Sequence, residues 1–208
     1  MDGASGTIEP VARLRQEVVA GSLLWDSTKN QLITWGGAGF NIMWNNDVSI
    51  MDLTQPNPEW QVLPGVQGTG PAIFWGFCAF WLPHKRSMYV VFGRTPFQSD
   101  MGTTLYRFET NISVWFALPA AIVPSDRMGV SIAMVEAGEY ILFGGGLLTS
   151  SFDDTWILAV QPLAQDVQNE YTWVRLHPDN TPPPRRHSGA VFHKSAMYIF
   201  FGLRDLVT

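Results

Sequence analysis

Cysteine is almost absent from this chain. Cys78 is the only one in 208 residues, so neither an intrachain disulfide nor a multi-thiol metal centre can form. It lies in the apolar run Phe77-Cys78-Ala79-Phe80-Trp81 and reads as a buried, inert thiol behaving as a small hydrophobe. Charge is also scarce. Only 15% of residues are charged against 46% hydrophobic, which excludes a disordered acidic or basic tail, because such tails lack the apolar content to collapse. The formal charge of −5 leaves no basic footprint for a phosphate backbone, so nucleic acid is excluded as a partner. No run of about 18 apolar residues is present, and no membrane span is expected. Met1 to Pro10 lacks the basic start and apolar core of a signal peptide. A soluble intracellular chain, cytoplasmic or nuclear, is therefore expected, and the lone sequon Asn111-Ile112-Ser113 does not alter that.

Side chains for chemistry are equally sparse. The four histidines, His84, His177, His187 and His193, stand at none of the spacings of a zinc-binding helix. Gly144-Gly145-Gly146 lacks the Lys-Ser and helix start of a phosphate cradle, and no nucleophile elbow occurs. Asp153-Asp154 invites a metal or acid–base reading, but its match to Asn46-Asp47 makes it a turn and strand-start element. No catalytic residue, metal ligand or cofactor is assigned.

What the chain does have is 19 Gly, 14 Pro and nine Trp, a composition that favours turns and pleated sheet over helical bundles. An apolar β run ending in glycine occurs four times: Leu32–Gly37, Tyr89–Arg94, Tyr140–Gly145 and Tyr198–Leu203. The period is about 55 residues, within the range that marks a repeat architecture. Each copy with room is followed by a polar loop and a second strand: Asp47–Asp52, Thr104–Glu109 and Asp154–Leu158. A third strand then opens on tryptophan, at Trp60, Trp115 and Trp173. The diglycine is complete in copies one and three and reads as degraded in Gly93-Arg94 and Gly202-Leu203.

This order resembles the blades of kelch-repeat β-propellers, and Pro184-Arg185-Arg186-His187-Ser188 looks like a kelch blade opening. The resemblance implies an all-β, kelch-type propeller of the broader galactose oxidase and kelch-like group, in partial form: three full four-stranded blades plus a fragment. The expected single domain, 1–208, divides into an N-terminal segment 1–20 with an outer strand near Glu9–Leu14, then blades at 21–63, 70–118 and 127–176, and a partial blade at 185–208. The glycines are expected after the innermost strand, at the propeller axis, and the tryptophans as wedges between sheets. Three architectures stay open: a truncated propeller, a closed four-blade ring, and a half-ring completed by another chain.

Propeller loops vary without disturbing the core, so specificity is expected there. The loop face collects Asn41, Trp44, Arg94, Phe97, Arg127, Phe152, Arg185 and Arg204, aromatic and arginine side chains of the kind enriched at interface centres. The resemblance implies a non-catalytic platform for a protein or peptide, and the arginines favour an acidic or phosphorylated one. The alternatives are a fragment of a propeller enzyme acting on a small molecule or sugar, and a structural subunit of a larger assembly.

Overall fold

The computed structural model describes residues 18–19, 21–39, 46–72, 75–94, 102–118, 122–161 and 170–205. Strand follows strand. The first group is β1 (Val18–Val19), β2 (Ser22–Asp26), β3 (Gln31–Trp35), β4 (Ala38–Gly39), β5 (Val48–Asp52) and β6 (Trp60–Val62). The second is β7 (Gln67–Gly68), β8 (Cys78–Leu82), β9 (Ser87–Val91), β10 (Leu105–Glu109) and β11 (Val114–Leu118), with a 3-10 turn at Pro83–Lys85 between β8 and β9. The third is β12 (Ser131–Glu136), β13 (Glu139–Phe143), β14 (Thr155–Val160) and β15 (Tyr171–Leu176). The chain closes with β16 (Gly189–His193) and β17 (Ala196–Phe200).

Three antiparallel sheets with the orders β2-β3-β5-β6, β8-β9-β10-β11 and β12-β13-β14-β15 are three complete blades, and β16-β17 is the first half of a fourth. The second blade carries β7 as a short extra strand, parallel to β11. The expected outer strand at Glu9–Leu14 lies outside the described residues. Asp205 is not in a strand, and Leu206–Thr208 also lie outside them.

Two details correct the sequence reading. The glycines do not follow the innermost strand: they end the second strand of each sheet, β3, β9, β13 or β17. The first strands meet at the centre, where β2 lies against β8 and β12 against β16. Nor is the diglycine degraded at its second position. Gly93 N–H donates to the Arg127 carbonyl and Gly145 N–H to the Arg185 carbonyl, each at 3.0 Å, so Gly93 is the counterpart of Gly145. The step is Gly36-Gly37, Phe92-Gly93, Gly144-Gly145 and Phe201-Gly202, two successive left-handed residues in every copy, with φ of 72/95°, 62/92°, 66/78° and 61/90°. Phenylalanine occupies the first position twice, at some conformational cost, because a non-glycine residue there strains its backbone. The second position stays glycine: at Gly145 a Cβ would stand 2.8 Å from Val130 and 2.9 Å from the Met128 carbonyl.

The core lies between blades, since one twisted sheet cannot cover its own faces. Ile33, Trp35 and Val48 of the first blade meet Trp81, Met88, Val90, Phe108 and Trp115 of the second. The opposite face of the second, including Phe80, Leu82, Tyr89 and Val91, packs on Tyr140, Leu142, Leu158 and Trp173 of the third. Every residue of β9 is consequently buried. The tryptophans act as wedges: Trp115 meets Trp35 edge-on at 5.3 Å, and Trp173 stands 5.8 Å from Phe92. Tyr140 and Tyr171 donate their hydroxyls across the same gap to the carbonyls of Trp81 and Leu118, at 2.9 and 3.0 Å. Cys78 is buried in this core, and burial pushes its thiol pKa up to about 12.

The two ends are open. Leu23, Trp25 and Val62 on the first blade are 65, 59 and 56% exposed, and Phe201 on the fourth is 88% exposed. Among the described residues the sheets form an open arc and not a closed four-blade ring.

Candidate interaction face

The segment after each second strand and the lead-in to the same blade pair at one end of the sheets. Trp75 bridges Arg94, Met128 bridges Gly146, and Arg186 bridges Leu203. That repeated pairing places the variable residues of three blades on one face.

In the second blade Arg94 is half-buried, and its guanidinium lies 5.9 Å from the Trp75 ring. A cation held over an indole keeps its donors turned outward for an anion. The fourth blade adds Arg204, which is exposed, and Leu203. The third adds Leu147 and Leu148, also exposed. Arg186 and Asp205 fasten these segments together: Asp205 accepts from Arg186 Nη1 at 2.9 Å, from Ser151 N–H at 2.5 Å and from Ser151 Oγ at 3.0 Å. Arg186 Nη2 reaches the Leu148 carbonyl at 3.2 Å. Partial burial alone would raise the Asp205 pKa, but the Ser151 hydrogen bonds and the Arg186 charge hold it below the usual carboxylate range.

Arg127 sits beneath this face. It is 2% exposed, and its guanidinium lies between the rings of Phe152 at 4.5 Å and Phe92 at 5.8 Å. It grips both oxygens of Asp154, at 2.5 and 2.8 Å, and donates to the carbonyls of Gly144 and Ser125, both at 2.9 Å. Burial raises the Asp154 carboxyl, yet the hydrogen bonds from Arg127 and Trp156 outweigh it and leave the pKa lowered. Each donor is committed within the protein. His187 is exposed, with its ring against Gly129, where a Cβ would stand 2.7 Å from Nδ1; partial desolvation followed by the Arg186 charge lowers its pKa.

Comparison with known proteins agrees with this geometry. Residues 10–202 match the KLHDC2/KLHL20/DRC7 Kelch-repeats domain. The chain belongs to this family. Adagio-like protein 1 of Oryza sativa subsp. japonica is 28% identical over 182 residues, 84% of this chain and 26% of that protein. Adagio protein 3 of Arabidopsis thaliana is 26% identical over 182 residues, 85% of this chain and 27% of that protein. The Kelch domain thus spans about a quarter of these curated relatives. Among solved structures, that of YjhT aligns with a TM-score of 0.65 at 15% identity, over 88% of this chain and 58% of that one, a likeness of fold.

Of the residues expected on the Kelch domain's loop face, the structure places Arg94, Arg185 and Arg204 at or near the surface. Arg127 is buried, and Phe152 is half-buried against it; they meet each other. Asn41, Trp44 and Phe97 lie outside the described residues. Sequence reasoning passed over Trp75 and the Arg186–Asp205–Ser151 cluster. The bridge to Arg94 could have flagged Trp75, since the residue after each arginine position pairs with the residue after each glycine step. Asp205 carries no such signal, because its partners come from two blades.

Proposed function

We propose that the Kelch domain is a non-catalytic platform that binds a protein or peptide segment across the loop face, with an acidic or phosphorylated stretch set against Arg94 and Arg204. The observation carrying this reading is the half-exposed Arg94 over Trp75, on the same blade end as Arg204, Leu147 and Leu148. Cations beside exposed apolar side chains suit an interface with an aromatic or aliphatic anchor and a charged rim. Arg127 contributes indirectly, by holding Phe152 and the start of β14 in place beneath the loop. Among the described residues no three His, Cys, Asp or Glu side chains group as a metal set would require.

The test is binding of acidic and phosphorylated peptide arrays to the chain, followed by titration of the best binder over a salt series. Replacing Arg94 and Arg204 by Ala is expected to weaken that peptide by about tenfold and to flatten its salt dependence. Unchanged affinity and unchanged salt slope in the double variant would remove the reading.

A further inference from the structure

The third and fourth blades meet on the loop face at a carboxylate held by three donors. Asp205 Oδ2 accepts from the Ser151 N–H at 2.5 Å, and Oδ1 from the Ser151 hydroxyl at 3.0 Å and from Arg186 Nη1 at 2.9 Å. A main-chain N–H, a hydroxyl and a guanidinium converging on one carboxylate are the parts of an oxyanion site. The repeat gives the place of its occupant. Arg186 pairs with Leu203 as Met128 does with Gly146, so Asp205 corresponds to Leu148, in the loop that follows the glycine step of its blade.

The donors are held in place by contacts other than that occupant. Ser151 pairs with Gly146, and the turn between them is closed by the Leu147 N–H on the Ser150 carbonyl at 2.8 Å. The Phe152 N–H reaches the Gly145 carbonyl at 2.7 Å, which fixes the direction of the neighbouring Ser151 N–H. Arg186 is held on two sides without the acid, by the Leu148 carbonyl and the Ser151 hydroxyl, each at 3.2 Å. Asp205 is held less firmly. It lies outside any strand, and its side chain is 35% exposed. Asp154, which braces Arg127, immediately precedes β14, takes a further bond from Trp156 Nε1 at 2.7 Å and is 12% exposed. One acid is built into the fold, whereas the other lies on a preformed site.

We propose that Arg186 and Ser151 form an oxyanion-binding site of the loop face, closed by the chain's own Asp205, and that a carboxylate or phosphate of the bound segment enters by displacing that side chain. The proposal rests on the loop-face reading for its partner. An intramolecular carboxylate competes at a high effective concentration, so small free anions are kept out. A segment already anchored elsewhere on the face, over Arg94 or beside Leu147, presents its acid at a comparable effective concentration and exchanges with Asp205. A phosphate dianion gains more from the guanidinium than a carboxylate does. The site thus selects anchored acidic groups over free ones.

The probe for the site alone is inorganic phosphate, with acetate as the carboxylate arm, titrated into the 208-residue protein and into Asp205→Ala while the Ser151 amide is followed by NMR. The parent is expected to show little shift. Asp205→Ala is expected to show a saturable one, with apparent affinity raised about tenfold or more and lost again when Arg186→Ala is added. Phosphate binding more tightly than acetate assigns the site to a phosphorylated segment, and the reverse order assigns it to an acidic one. Asp205→Ala is also expected to tighten the best acidic peptide severalfold. A fixed structural brace predicts the opposite sign, because its removal would loosen the loops that hold the peptide. Three outcomes would overturn the proposal: no anion-dependent shift at Ser151 in Asp205→Ala, a shift that survives Arg186→Ala, or a peptide weakened by Asp205→Ala. If no acidic peptide binds the parent, the loop-face reading fails by its own test, while the phosphate titration still decides the site.

Discussion

Glu170 is 1% exposed yet ionised, in the gap between the second and third blades. Tyr89 donates its hydroxyl to it at 2.6 Å, Lys85 its ammonium at 3.1 Å, and Arg107 its Nη1. Burial by itself would raise the carboxyl; the Tyr89, Arg107 and Lys85 contacts outweigh it and hold the pKa below the ordinary range. A carboxylate whose folded pKa is depressed stabilises fully above its unfolded value, about 4. That stabilisation fades as pH falls through the folded value. Glu170→Gln keeps the shape and removes the charge, leaving the half-buried Lys85 short of an anion and Arg107 with Glu109 alone, at 2.8 Å. Denaturant titration at neutral pH is expected to show a loss of about 3–5 kcal/mol, as for one broken partner of a buried pair. The variant's stability should also vary less between pH 5 and 3 than the parent's, to the order of about one titrating group. Equal stabilities at pH 7 would mean that the cluster is neutral in effect. None of this was legible in the sequence, because Glu170 precedes an ordinary strand and its partners lie 63 to 85 positions away. Arg127 was legible as a repeat position, yet its burial was not: the aspartate and two phenylalanines that enclose it converge only when the third blade folds against the second.

Each strand owes its place to periodicity that the sequence displayed openly. The tryptophan positions, the apolar runs and the loops between them located ten of the strands to within a few residues of their ends, because the same pattern recurs in phase. The first strand of each blade was less visible. Cys78–Leu82 carries nothing to separate it from the next apolar run, and without it the sequence points to the glycine strand as innermost. The glycine step was misread by one position for a related reason, since Phe92 and Phe201 adopt a conformation usually reserved for glycine. The structure ranks these glycines. Gly145→Ala would force a Cβ to 2.8 Å from Val130 at a φ of +78°, so a loss of about 2–4 kcal/mol is expected from strain and displacement together. Gly65→Ala has a similar φ of +66° but nothing within 4 Å, and a loss of about 1 kcal/mol is expected. Thermal or urea unfolding of the two variants side by side checks the ordering. A smaller loss at position 145 than at 65 would contradict the packing described for the step.

Across the whole molecule, stability depends on neighbours. The second blade is covered on both faces, the first and third on one each by it, and the fourth is half a sheet with no residue of β16 or β17 fully buried. In a stack where each repeat contacts only those beside it, opening free energy should fall from the centre outward. Exposed apolar side chains at both ends, Leu23 and Trp25 on one and Tyr198, Phe200 and Phe201 on the other, mark where the arc expects further surface. The measurement that tests this account most directly is native-state hydrogen exchange along the 208-residue chain, read by mass spectrometry. The arc predicts slowest exchange in β9 and β13, intermediate exchange in β3, and fast exchange in β16 and β17. Protection of β16 and β17 equal to that of β9 in the chain alone would contradict it, because the fourth sheet would then already have its neighbours.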